Sequence, residues 1–308
     1  MQKINSIKSA KIKNIEWIDW VYSTKRETKE FLEQFNFHEL DVEACIEENQ
    51  NPRIDHYNDY VFITLHFPKY NKNTKRYFLN EMNFFLMKDK IISLRKHDEF
   101  LIDKIFEEYK NKTSKKDFWE DFKITSAYIL YEVIQAMIEK MFKSLDTFSV
   151  NLRMFEWKVF DKPSDNLVKE MMIKKRNILF LKHMIKPQIN VLKMVELRLK
   201  KIFDEDLEVY FEDLEDKIQK VFLDIERIWE MIEWIEDSLK TLVSIKTGHT
   251  MWVLTLLSTF LLPLTLITSF YWMNIDLPFA KNPHVIHWFL IFVSFVMFIF
   301  LFRLRSKV

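Results

Sequence analysis

Between Met251 and Met273 the chain runs 23 residues with no ionisable side chain except Tyr271. As a helix that length covers the ~30 Å of a bilayer's hydrocarbon. A second apolar run, Val285–Phe302, is slightly short for a span and carries only His287, near its start. The first 250 residues are strongly charged and read as a soluble domain. The opening residues MQKINSIKSAKIKNIEW have no apolar core, so no signal peptide is expected and the large domain is placed in the cytosol. Arg303, Arg305 and Lys307 follow the second run, whereas the loop 274–284 holds one Lys and one Asp. That asymmetry predicts a multi-pass protein of the cell (inner or plasma) membrane with both termini cytoplasmic. Cys45 is alone, which suits a reducing compartment and forbids an internal disulfide.

Composition removes several function classes. Lys+Arg 46 against Asp+Glu 45 leaves no electrostatic case for nucleic acid. Gly248 is the only glycine, and phosphate-binding loops need several so that backbone can approach phosphate. No His-Glu-x-x-His, Cys pair or Gly-x-Ser-x-Gly is present. The expectation is a protein that is not an enzyme and uses no organic cofactor.

Four segments, 15–21, 60–67, 80–87 and 90–96, are rich in β-branched and aromatic residues between Asn, Asp, Lys and Pro, and read as strands of one small sheet. The stretch TKEFLEQFNFHELDVEACIEE between the first two has helical spacing. Residues 100–112, about 117–160 and about 164–186 read as long helices, punctuated by Lys162-Pro163 and Pro187. From Leu207 an apolar series steps by four and three through Phe211, Leu214, Ile218, Val221, Ile225, Ile228, Ile232, Ile235, Leu239 and Leu242. Periodicity alone fits the core face of a helical bundle as well as a coiled coil. The stripe runs straight into the first span, however, so the simplest object is one helix of about 65 residues and ~100 Å ending at Asn274. Two membrane helices cannot enclose a pore, so conduction needs several copies around an axis.

The expected fold class is therefore an α+β cytosolic domain, a small sheet with helices, followed by a long stalk helix and two C-terminal transmembrane helices. Boundaries fall at 1–99 (α/β part), 100–203 (helical part), 204–249 (stalk), 250–274 (first span), 275–284 (outer loop), 285–302 (second span) and 303–308 (basic tail).

Pro263-Leu264-Thr265 inside the first span, with Tyr271-Trp272-Met273-Asn274 at its end, resembles the pore helix of the CorA-type divalent-cation channels. Tyr210-Phe211-Glu212-Asp213 resembles that family's Tyr-Phe-x-Asp, and Val253-Leu254-Thr255 its membrane entry. Asn51-Pro52-Arg53-Ile54 with Tyr60-Val61-Phe62-Ile63 resembles its Arg-Pro-Lys-Val…Tyr-Val-Phe-Ile segment. The resemblance implies a homopentameric funnel in membrane lipid whose first span lines the pore. It also implies Mg²⁺ as both transported and regulatory ion, with Co²⁺, Ni²⁺ or Zn²⁺ as alternatives. Asp59 and Asp213 match the aspartates that share a gate-closing ion across a subunit boundary, and Asp237 matches a further stalk acid. By themselves Asp59 reads as a strand-start turn residue and Asp213 as one of eight acids in 204–216.

By the same resemblance Asn274 is the selectivity residue, holding a hydrated cation through its waters. Met251, Leu254, Thr255, Ser258, Leu262, Thr265 and Ser269 line the pore below it, with Leu254 and Leu262 as apolar constrictions. Hydroxyls in membrane helices commonly bond their own backbone carbonyls, so this stripe carries little weight without the match at Thr265.

Several positions depart from the pattern. Gly248 replaces an asparagine, Ala280 replaces a loop acid while Asp276 remains to attract cations, and Trp272 stands where the family has Gly. Five indoles at the mouth narrow it, turn outward as interfacial anchors, or offer cation–π contact. Interfacial chemistry favours outward. A fourth origin is that a UGA codon read as Gly in the source was translated as Trp. The leading reading is a passive channel for hydrated divalent cations gated by intracellular divalent binding. The alternative is a non-conducting, membrane-anchored divalent sensor or scaffold. His284 and His287 have helical spacing but read as interfacial residues rather than metal ligands.

Overall fold

The computed structural model describes residues 6–21, 24–47, 50–112, 124–161, 164–200, 207–272, His284, Trp288 and 291–296. Two compact units divide the chain, Met1–Glu236 and Asp237–Val308. The first contains a six-stranded sheet of β1 (Ser6–Ile12), β2 (Ile15–Val21), β3 (Arg53–His56), β4 (Val61–Asn71), β5 (Arg76–Leu86) and β6 (Lys90–Arg95). Their order is β1-β2-β6-β5-β4-β3, with only β2 and β6 parallel. The four strands expected from the sequence are the four interior ones. The two that were not expected, β1 and β3, are the edges, where Lys8, Lys11, Arg53 and Asp55 blunt further pairing and hide the apolar signal.

The segment with helical spacing after β2 forms two short helices, α1 (Lys25–Leu32) and α2 (Glu39–Ile46). Thr24 and Glu27 make a capping box on α1, and His38 Nδ1 accepts from Leu40 N at the start of α2. Phe37, in the turn between them, stacks on Phe85 of the sheet at 4.0 Å, so the chain folds inward there instead of continuing as helix. Phe31, Leu32, Ala44 and Cys45 thereby close one sheet face over Ile18, Trp20, Phe62 and Ile92. On the other face Trp17 meets Phe106 of α3 (Phe100–Lys112) edge-on at 5.0 Å. With a single glycine in the chain, left-handed turn positions fall to Lys13 (φ 52°) and Lys75 (φ 54°).

Three long helices follow: α4 (Ser126–Asp161), α5 (Asp165–Leu199) and α6 (Glu208–Trp272). Pro187 does not end a helix as its residue type predicts, but lies inside α5. It sits on the exposed side with His183, whose carbonyl loses its helical partner, so water can satisfy that carbonyl. Met184, Ile185, Gln188 and Leu192 stay buried on the opposite side, and that packing carries the helix through. Gln188 also closes the sheet. β3 pairs with β4 only as far as Thr64, and beyond it the Gln188 amide accepts from His66 N (2.9 Å) and donates to His66 O (2.8 Å). Gln188→Leu strands both backbone groups in a dry site at about 1–3 kcal/mol each. A fall of several degrees in the thermal midpoint of the purified protein in mild detergent is expected, and an unchanged midpoint contradicts this role.

The long apolar stripe that leads into and along α6 is buried from Leu207 to Leu239, and around Val221 and Ile225 the chain's own helices fill it. Val221 and Ile225 meet Met141 and Leu145 of α4 and Leu181 and Ile185 of α5. Ion pairs Lys182–Glu226 (3.2 Å) and Lys175–Glu236 (2.5 Å) lock α5 antiparallel to α6. The partner that the heptad pattern calls for is intramolecular over this stretch, so the stripe is no argument for subunits coiling together. Beyond it α6 changes character. Met251, Leu254, Leu257, Leu261, Leu262 and Leu266 are all exposed, on a helix long and apolar enough to cross a membrane. Most of the second expected span lies outside the described residues; within it Trp288 and 291–296 are helical, with Ile291, Phe292 and Phe295 exposed.

Candidate divalent-cation sites and pore helix

Asp59 stands in the turn between β3 and β4. Tyr57 N donates to Tyr60 O (3.0 Å) across this turn, and the Tyr60 hydroxyl donates to buried Asp41 (2.9 Å) while accepting from His38 N (2.8 Å). Asp41 in turn holds Arg53 at 2.9 Å, so the Tyr60 anchor is rigid and the neighbouring Asp59 is presented to solvent. Among the described residues no hydrogen bond or ion pair engages the Asp59 carboxylate. It lines an open cleft of about 600 Å³ with Asn36, Asn58, Lys88 and Asp89.

Asp213 is placed by the Tyr-Phe pair just before it. Phe211 is buried at the start of α6, and Tyr210 packs edge-on against Tyr131 of α4 at 5.1 Å. The Tyr131 hydroxyl donates to Asp213 Oδ2 (3.1 Å), as does Lys217 Nζ (2.6 Å). Burial and the adjacent Asp213 carboxylate push the Tyr131 phenol up, so it stays a donor. Asp213 remains 41% exposed and open to a further ligand.

Asp59 and Asp213 are not brought together in one chain: no hydrogen bond, ion pair or shared cleft links them among the described residues. Nor do those residues contain three His, Cys, Asp or Glu side chains grouped to surround a metal. Asp237 is exposed on α6 and, among the described residues, pairs with Lys240 at 3.4 Å. The sequence reading missed Tyr131 and Lys217. Lys217 was detectable, because Asp and Lys four apart on a helix face each other. Tyr131, 82 residues from Asp213, leaves no such trace.

On the membrane segment of α6, Thr255 Oγ1 donates to Met251 O (2.9 Å) and Thr265 Oγ1 to Leu262 O (2.8 Å). The hydroxyls do bond their own backbone. With its proton so committed, each oxygen turns lone pairs outward, and a hydrated cation presents hydrogens, so this is the polarity it needs. Met251, Leu254, Ser258, Leu262 and Ser269 are exposed with them. A Cβ added at Gly248 meets nothing within 4 Å. Tyr271 is helical, and α6 remains helical through Trp272, which is 90% exposed. At ~100° per residue Trp272 lies within about 20° of Thr265, seven positions earlier, which sets its indole on the same face as the hydroxyls. Met273, Asn274, Asp276, Ala280 and His287 lie outside the described residues.

The family model for "CorA-like Mg2+ transporter protein" matches residues 13–305. The cobalt/magnesium transport protein CorA of Thermotoga maritima is 25% identical over 246 residues, 79% of this chain and 68% of that protein. In fold, the complete CorA magnesium transporter of Methanocaldococcus jannaschii superposes with a TM-score of 0.78 at 17% identity, covering 100% of this chain and 99% of that one. The soluble domain of the same transporter gives 0.63 at 14% identity, covering 77% and 97%. The chain belongs to the CorA-like Mg²⁺ transporter family, whose members are membrane transporters of divalent metal cations and not enzymes.

Proposed function

We propose that this chain forms a homopentameric channel for hydrated divalent cations, Mg²⁺ foremost, closed by Mg²⁺ on its cytosolic side. The observation that carries this reading is the change along α6. The apolar stripe at its head is buried from Leu207 to Leu239, whereas Met251, Leu254, Leu257, Leu261, Leu262 and Leu266, with Thr255, Ser258, Thr265 and Ser269 among them, are exposed in the single chain. Such a face is covered by lipid on one side and by copies of itself around water on the other. Five Asn274 side chains at the outer mouth bind the ion through its waters, and Leu254 and Leu262 form the narrow apolar rings where a dry gate closes. On this reading both termini lie in the cytoplasm. Particle mass in mild detergent is expected at five chains; a monomer or dimer contradicts the assembly.

The regulatory ion fits the donors present. Mg²⁺ takes carboxylate oxygens while keeping several waters, and Asp59 of one chain with Asp213 of the next offers such a pair. Binding neutralises two facing carboxylates and holds the subunits together; loss of the ion leaves like charges that favour separation. A ligand of the closed form alone stabilises it by about 2.7 kcal/mol at a concentration 100-fold above its dissociation constant. Asp59→Ala with Asp213→Ala is expected to remove Mg²⁺-dependent protection of α6 from protease. Protection that survives the double variant places the site elsewhere.

A further inference from the structure

We infer that Lys217 is a tethered competitor for the regulatory cation, an ammonium that occupies the Asp213 carboxylate when Mg²⁺ is absent and thereby sets how much Mg²⁺ is needed to close the channel. This rests on the reading of Asp213 as a regulatory ligand and adds a residue to it. Lys217 Nζ lies 2.6 Å from Asp213 Oδ2, one helical turn along α6. The same oxygen accepts the Tyr131 hydroxyl at 3.1 Å. Because Tyr131 comes from α4, the carboxylate is oriented from two helices and its position is fixed before any ion arrives. The two side chains are 41% and 27% exposed, so the pair is reachable from water.

The chemistry is a direct exchange. Mg²⁺ takes hard oxygen donors, directly or through its waters, and a carboxylate oxygen already holding an ammonium and a phenol must release the ammonium to serve it. Lys217 can do so cheaply, since a partly exposed pair four residues apart on a helix contributes little. Once displaced, the ammonium stays on a four-carbon tether and repels the divalent ion that replaced it. Asp59 is unlike Asp213 here, for it has no cation on it among the described residues. The ammonium also offsets part of the repulsion between the two carboxylates in the ion-free state, so it weakens both the closing ligand and the drive to open.

The test is the Mg²⁺ concentration giving half-maximal protection of the full-length protein, in mild detergent, from proteinase K. Lys217→Met keeps the stem and removes the charge, and is expected to lower that midpoint about threefold to tenfold. Lys217→Arg, which keeps the charge, is expected to leave it within about twofold. Lys220→Met is the control for loss of any nearby positive charge; Lys220 lies over the Phe142 ring (5.6 Å), and its removal is expected to shift the midpoint less than Lys217→Met does. If Asp213→Asn abolishes protection while Lys217→Met leaves the midpoint unmoved, or moves it no more than Lys220→Met, the competitor role is overturned and the site stands. If Asp213→Asn leaves protection intact, the site reading fails and this inference with it.

Discussion

Asn274→Ala is expected to abolish Mg²⁺ uptake, and Trp272→Gly to raise it. The first effect follows from what an amide does for a hydrated ion. Its carbonyl oxygen accepts hydrogen bonds from the ion's first-shell waters without trapping the cation as a carboxylate would, and Ala offers no acceptor. Mg²⁺ sheds water reluctantly, so a mouth that cannot hold the hydrated ion stops admitting it. The second effect comes from helical phase. Interfacial chemistry alone turns an indole outward, among headgroups. However, α6 stays helical to its end at Trp272, and the phase of that helix sets the indole over Thr265 on the hydroxyl-bearing face. In the proposed pentamer five such rings would narrow the entrance, and glycine removes them. An uptake rate unchanged by Trp272→Gly would mean that the ring turns away from the axis. Uptake absent in the parent and present only in Trp272→Gly would favour the sensor or scaffold alternative.

The second large effect is on folding. Arg95 and Asp19 are both completely buried, bonded at 2.7 Å between neighbouring parallel strands. Asp19 also accepts from Ser93 Oγ (2.7 Å), Ser93 Oγ accepts from Trp17 Nε1 (3.0 Å), and Arg95 reaches Asp103 on α3 at 2.6 Å. Removing one partner leaves an uncompensated buried charge, so Arg95→Met is expected to destabilise the soluble unit by about 3–5 kcal/mol. That is a large fraction of a typical domain's stability. Replacing both charges, Asp19→Leu with Arg95→Met, is expected to cost less than the single change. Thermal unfolding followed by circular dichroism separates the two; a single variant as stable as the parent contradicts the account.

The same cluster sets an acid limit. Burial pushes the Asp103 carboxyl up, but the hydrogen bond from Lys8 and the Arg95 charge outweigh it and hold the group below the usual carboxylate range. Its contribution to stability is present above the unfolded carboxylate pKa and is lost as pH falls through the depressed folded value.

Interior strands were legible because β-branched and aromatic residues dominate them, buried polar ones such as Asp19 and Arg95 notwithstanding; edge strands were not, since protection from further pairing requires the charges that mask them. Pro187 misled because propensity is local while the buried side of α5 is tertiary. The apolar stripe of α6 is legible as a face that needs a partner, but a heptad pattern does not say whether that partner belongs to the same chain. The aspartates proposed for the ion site, Asp59 and Asp213, stand out only by resemblance, since one acid among eight carries no signal of its own. What surrounds Asp213 came from two helices, of which only α6 left a spacing to read.

The most direct test is entry of Mg²⁺ into liposomes holding the purified full-length protein and an internal Mg²⁺-sensitive dye. Entry down a concentration gradient well above that of empty liposomes is expected, abolished by Asn274→Ala and suppressed when Mg²⁺ faces the soluble unit. Flux no greater than that of empty liposomes, from protein whose soluble unit unfolds cooperatively and which runs at the mass of the proposed pentamer, would contradict the channel reading.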